Sequence, residues 1–137
     1  MYKTLEVLCE QKENFIKMIL PLILAANEEI GMRRAAIKRA ASAGDWAALK
    51  KWAQLYRIDV NKQSIQELKH NILLRADKIP VALALAQAAV ESGWGTSRFA
   101  LQGNALFGQW AWKESAGLKP LKASNHRAVV RSFPNLF

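Results

Sequence analysis

Pro80-Val81-Ala82-Leu83-Ala84-Leu85-Ala86-Gln87-Ala88-Ala89-Val90-Glu91-Ser92-Gly93-Trp94-Gly95 is the stretch that decides how this chain folds. From Val81 to Val90 every residue except Gln87 is apolar. Pro80 suits the first turn of a helix, because its missing N–H has no intrahelical partner there and its φ is already helical. Gly93 and Gly95 bring the helix to a stop. A helix that is apolar all round is expected to be buried on nearly all sides, in the middle of a domain. The alanines at 82, 84, 86, 88 and 89 let neighbouring helices approach closely.

Gln87 and Glu91 stand four apart and so project from one face, which must look onto something polar. Burial disfavours an ionised carboxylate, and the carbonyl dipoles at a helix C-terminus disfavour negative charge further. Both effects favour the protonated carboxyl that a general acid must supply. The plainer alternative is a helix-end glutamate that simply reaches solvent. Gly93 and Gly95 flank Trp94 in a turn that lets backbone pass close to a ligand. Trp94 itself either stands beside the carboxyl or packs in the core.

Working upstream, Phe15, Ile19, Leu22, Ile23, Ala26 and Ile30 keep the 3.6-residue period, predicting a first helix over 12–43 with a kink at Pro21. Arg33, Arg34, Lys38 and Arg39 form its polar, solvated face. Gly44-Asp45 marks a helix stop and an N-cap, so a second helix is predicted from there to Arg57. Ser64 and Glu67 have the spacing of a capping box, which opens a third helix with Ile65, Leu68 and Ile72 as its buried stripe.

Downstream, glycines at 93, 95, 103 and 108 break the helical pattern, and a short helix is expected to begin at Thr96 or Ser97. Leu106–Trp112 and Ala128–Phe133 are the candidate strands of a small β-hairpin. The fold class is therefore mainly α (α+β), one domain over 1–137: N-terminal helices in 1–79, the decisive helix and its loop in 80–104, and a small β-lobe in 105–137.

The 137 residues carry a net charge of +9, and residues 92–137 hold six Lys or Arg against Glu114 alone. A field of that sign fits nucleic acid, an anionic membrane surface or an acidic cell-wall polymer, or serves only solubility. Nucleic acid is the weakest of these, because no helix-turn-helix, zinc-ligand or RNA-stacking signature is present. Cys9 is the single cysteine, so neither an internal disulfide nor a thiolate metal cluster can form. Glu6, Glu10 and Glu13 interrupt the region where a signal peptide needs its apolar run, and no stretch approaches the ~18 apolar residues of a membrane span. No stable membrane insertion is expected. His70 and His126 have no Ser, Cys or metal-ligand partner at an informative spacing.

The run Ala88-Ala89-Val90-Glu91-Ser92-Gly93-Trp94-Gly95-Thr96-Ser97-Arg98-Phe99-Ala100, followed by Gly103-Asn104-Ala105-Leu106-Phe107-Gly108-Gln109-Trp110, closely resembles the signature of the Bax-type bacterial glucosaminidases, grouped with glycoside hydrolase family 73 and the flagellar and autolysin glucosaminidases. Phe15–Ile30, with Leu20-Pro21-Leu22 and Ala26-Asn27-Glu28-Glu29-Ile30, is similar to the N-terminal helix of that subgroup. The resemblance implies a lysozyme-like helical lobe with a small β-hairpin lobe, and cleavage of the β-1,4 bond after N-acetylglucosamine in peptidoglycan glycan strands. It implies no metal or organic cofactor, a monomer, and a periplasmic or extracellular location with any export leader absent from this chain. Glu91 takes the place of the catalytic acid. Gln87, Trp94, Asn104, Leu106, Phe107, Gly108 and Trp110 are the implied substrate-binding residues, with Asn104 as a donor to a sugar. For Leu106 and Phe107, packing is the competing role.

The chain departs from the family pattern in two places. Ala105 stands where Asn is usual, and the β-lobe offers only Glu114 as a second acid, which beside Lys113 reads as a surface ion-pair partner before it reads as a catalytic group. A retaining pair of carboxyls needs about 5–5.5 Å between its members and an inverting pair about 6.5–9.5 Å. The shortage of acids favours attack by the substrate's own 2-acetamido carbonyl, or by a water held by a weak second group. Relatives continue beyond the position of Phe137 into helices that bring a tyrosine to the cleft, which implies that this sequence is a fragment. A lytic transglycosylase and a non-catalytic glycan-binding domain remain the alternative readings.

Overall fold

The structure, a computed structural model, describes residues 2–61, 63–121 and 128–136; the expectation for His126 lies outside them. The described elements run in the order α1 (Tyr2–Ser42), α2 (Trp46–Leu55), α3 (Ile65–Arg75), α4 (Val81–Ser92), α5 (Arg98–Gly103), β1 (Trp110–Ala111), a single 3₁₀ turn (Glu114–Ala116), β2 (Gly117–Leu118) and β3 (Val129–Arg131). Helices dominate and a small sheet follows them, as the mainly α reading requires.

These residues pack as two units. The first joins α1 as far as Leu24 to everything from Pro80 onward, and the second is Ala25–Ile79.

In the second unit, the later part of α1 packs with α2 and α3 around Ile37, Ala40, Ala41, Leu49, Ala53, Leu68, Ile72 and Ala76. Leu49, Leu68 and Ile72 are wholly buried, and each such side chain contributes about 2 kcal/mol relative to exposure. The helix starts are set by local chemistry. Asp45 Oδ1 accepts from the Ala48 N–H at 2.9 Å, and Ser64 and Glu67 form the reciprocal capping box.

The helix ends are closed by arginines from elsewhere in the unit. Arg34 donates to the carbonyls of Leu73 and Ala76 and pairs with Asp77 at 3.1 Å, and Arg75 donates to those of Tyr56 and Arg57. A cation at a helix C-terminus meets both the unpaired carbonyls and the negative end of the dipole. Arg34 is therefore a cap on α3 rather than part of a purely solvated face. Arg33 is held above its ordinary value by hydrogen bonds, first to Tyr56 and then to Glu29.

In the first unit, Phe15 and Ile19 of α1 meet Ala88 and Ala89 of α4, Ala100 of α5 and Leu106. Three expectations change here. Helix α1 begins at Tyr2, ten residues earlier than the apolar period indicates, and continues through Pro21. Helix α4 buries only one face, Ala84, Ala88, Ala89 and Ser92, while Leu83 and Val90 are exposed. An all-apolar surface permits burial but does not supply the neighbours, and among the described residues α4 has them on one side. The predicted hairpin is a three-stranded antiparallel sheet in the order β1-β3-β2, with Trp110 opposite Val130 and Gly117 opposite Arg131. Gly117 is obligatory there, since a Cβ would overlap the Val130 carbonyl.

Candidate active site

The site is organised by the end of α4. Gly93 adopts φ +58°, and the N–H of Trp94 reaches the Ala89 carbonyl at 2.7 Å while that of Gly93 reaches Val90 at 3.3 Å. That bond pair is a Schellman termination. Trp94 and Gly95 continue in the left-handed region at φ +57° and +77°, a conformation that costs a side-chain-bearing residue about 1–2 kcal/mol. Its compensation is visible. Ser92, fully buried, donates its hydroxyl to the Ala88 carbonyl and accepts from the Gly95 N–H at 2.9 Å. The Trp94 ring meets Phe15 edge-on at 5.7 Å between centroids, and Lys12 Nζ lies 5.1 Å from the Trp94 centroid. Gly95 tolerates no Cβ without crowding Phe15 at 3.1 Å. Trp94 thus packs against α1, where it lines a cavity with Phe15, Met18 and Thr96, separate from the one described below.

Glu91 is on the last turn of α4, exposed, and makes no hydrogen bond or ion pair among the described residues. The dry surroundings expected for it are absent, because the α4 face it shares with Gln87 is the uncovered one; Gln87 is exposed as well. Its carboxylate nevertheless has a defined neighbour. A Cβ placed on Gly108 would stand 3.4 Å from Glu91 Oε2. Gly108, at φ +55°, belongs to the turn that follows α5.

That turn walls a cavity of about 210 Å³ lined by Asn104, Leu106, Phe107, Gln109, Phe133, Asn135 and Leu136. Asn104 ends α5 at φ +50° and donates from Nδ2 to the Phe133 carbonyl at 2.9 Å, which ties the turn to the segment after β3. One amide hydrogen and the Oδ1 acceptor remain for a ligand. Leu106 and Phe107 both line the cavity, Leu106 from a position buried in the core and Phe107 from one half out of the protein.

Trp110 on β1 is 58% exposed and is not among the cavity residues. Glu114 sits in the 3₁₀ turn, paired with Lys119, whose hydrogen bond and charge hold its carboxyl below the usual range. The structure thus brings Glu91 and Gly108 together and places Asn104 and Phe107 on one cavity, while Gln87, Trp94, Trp110 and Glu114 stand apart from that cavity. Phe133, Asn135 and Leu136 were missed by sequence reasoning. The break at Pro134 directly after a candidate strand was the available signal for a turn there.

Among the described residues, no three His, Cys, Asp or Glu side chains come together as metal ligands. No described helix is long and apolar enough to cross a membrane.

Residues 69–136 match the glucosaminidase family model, described as mannosyl-glycoprotein endo-beta-N-acetylglucosaminidase. The chain is also similar to Protein bax of Escherichia coli (strain K12), 30% identical over 121 residues that cover 85% of this chain and 44% of that protein. It therefore spans less than half the length of that relative. No solved structure matches. Glu91, Asn104, Phe107 and Gly108 all fall inside the segment that resembles the glucosaminidase family.

Proposed function

We propose that this chain acts on bacterial cell-wall glycan, in the periplasm or outside the cell, as a glycoside hydrolase of the family 73 type. It cleaves the β-1,4 bond after N-acetylglucosamine, with Glu91 protonating the leaving oxygen. The observation that carries this reading is the placement of an unpaired carboxylate at the end of α4 against Gly108, next to the cavity wall and inside the matched segment. An approaching glycosidic oxygen meets that carboxyl without having to break an ion pair.

Exposure of Glu91 in the free protein is consistent with acid catalysis when the substrate itself excludes water. A bound strand then replaces solvent around the carboxyl. Asn104 offers both an amide hydrogen and an acceptor to an acetamido group, and the outward half of Phe107 offers a ring face to a sugar.

Only Glu114 follows Glu91 as an acid in the sequence, and Lys119 keeps it ionised and engaged. Attack on the anomeric carbon falls to the substrate's own 2-acetamido carbonyl or to a water held by a weak second group. A second reading is a lytic transglycosylase, which also works with one acid. Mass spectrometry of released muropeptides separates the two: reducing N-acetylglucosamine ends mark hydrolysis, anhydro-muramyl ends transglycosylation. Glu91→Gln is expected to lower turnover by about 10²–10⁴ with the fold intact. Full lytic activity in that variant would overturn the assignment.

A further inference from the structure

The cavity between α1 and the turn after α4 has a lining of its own. Val7, Gln11, Asn14 and Met18 recur at steps of four, three and four, so they share one face of α1, with Glu10 and Phe15 beside them. Trp94, Gly95 and Thr96 stand against that face and complete a groove of about 420 Å³. Small-ligand sites occupy about 300–1,000 Å³. The floor is well held. Phe15 is buried and meets the Trp94 ring edge-on, and a Cβ on Gly95 would stand only 3.1 Å from the Phe15 ring. Met18 and Val7, 53% and 62% exposed, carry the apolar wall outward to the rim.

The polar groups of this groove are uncommitted. Glu10, Gln11 and Asn14 make no hydrogen bond or ion pair among the described residues. Glu10 is the one charged side chain in the described lining, on a chain of net charge +9. Lys12, whose Nζ lies 5.1 Å from the Trp94 centroid, is outside that lining. A carboxylate beside an apolar wall suits a cationic head on a methylene stem, which is the character of a lysine-type side chain. Gln11 and Asn14 each offer a carbonyl oxygen and an NH₂ group. A peptide unit needs an acceptor for its N–H and a donor for its C=O, and either amide supplies both. An acidic ligand would meet repulsion from Glu10, and a wholly apolar one would cover that carboxylate without pairing it.

We propose that this groove is a binding site for a short peptide bearing a free side-chain amine. The ammonium meets Glu10, the methylene stem lies along Phe15 and Met18, and the peptide backbone pairs with Gln11 and Asn14. The site stands on its own lining and not on the glycan-directed reading, so either can fail alone.

The test is an NMR titration of the ¹⁵N-labelled 137-residue chain. Three probes are used: N-acetyl-Ala-Lys-Ala-amide, the same peptide with norleucine in place of lysine, and n-butylamine. The lysine peptide should bind with a Kd of about 1 mM and shift the Trp94 indole N–H and the amides of Gln11, Asn14, Gly95 and Thr96. Norleucine, which lacks the ammonium, should bind about tenfold more weakly, and n-butylamine more weakly than the lysine peptide. Glu10→Gln should bring the lysine peptide down to the norleucine level and leave the norleucine peptide where it was. Met18→Ala should weaken both peptides alike. Glu10 and Met18 are exposed, so thermal melting should be unchanged in both variants.

Equal binding of the lysine and norleucine peptides to wild type overturns the proposal. So does full discrimination by Glu10→Gln, or a lysine peptide whose shifts fall elsewhere or are absent. If n-butylamine binds as tightly as the lysine peptide, the groove is an amine site and the peptide assignment fails.

Discussion

Gly108 gives the carboxylate of Glu91 only van der Waals clearance: a Cβ at position 108 would lie 3.4 Å from Glu91 Oε2, on a backbone at φ +55°. Gly108→Ala therefore adds a methyl group beside the acid and strains the turn by about 1 kcal/mol. Muropeptide release should fall by more than the small drop in melting temperature accounts for. Unchanged release at unchanged stability would show that the approach of these two groups has no catalytic consequence.

Asn104 combines a left-handed backbone with a hydrogen bond to Phe133. Asn104→Ala loses the bond and keeps the strain, at a cost of about 1–2 kcal/mol in urea denaturation. Asn104→Gly relieves the strain without restoring the bond, so it should fall between Ala and wild type in stability.

The capping box of α3 carries a pH dependence. Glu67 accepts first from the Ser64 backbone N–H and then from its hydroxyl, which holds its carboxyl below the ordinary value of 4.5. The folded value is the lower one, so this stabilisation is complete above the unfolded value and is lost as pH falls through the folded one. Melting followed from pH 7 down to strongly acid conditions should show a smaller acid-side decline in Glu67→Gln than in wild type. Ser64→Ala should cost about 1 kcal/mol at neutral pH.

Gly117 pairs with Arg131 where the chain has no room for a side chain. Gly117→Ala should push β2 off β3 and cost about 3 kcal/mol, seen as early exchange of the β3 amides. Its φ is extended, so the loss is steric and Gly117→Asn offers no relief.

What the residues announced in advance was local chemistry. Asp45, the Ser64–Glu67 box and Ser97 mark helix starts because each cap is a bond between residues three apart, and all three are present. The start of α1 was illegible for the opposite reason. Val7 and Leu8 are exposed, so that turn of helix is held by propensity, with no buried stripe to read. β2 is two residues long and exists through its pairing with β3, and Arg34 caps α3 from about forty positions away in the chain. Neither leaves a short-range pattern.

The same division runs through the site. Glu91, Asn104 and Gly108 were identified through a motif. The opposite wall of the cavity, Phe133 to Leu136, arrives only because the chain returns after β3, and the exposure of α4 depends on which neighbours it lacks.

The left-handed turn after α4 also has a rotational meaning. An α-helix advances about 100° per residue, so a single-residue slip would swing Glu91 a quarter-turn away from Gly108. Anchoring Trp94 on Phe15 within three residues of the acid acts as an index pin. It converts the identity of a sequence position into a fixed compass bearing, so that insertions between positions 91 and 94 should be far less tolerated than insertions in the loop after β1.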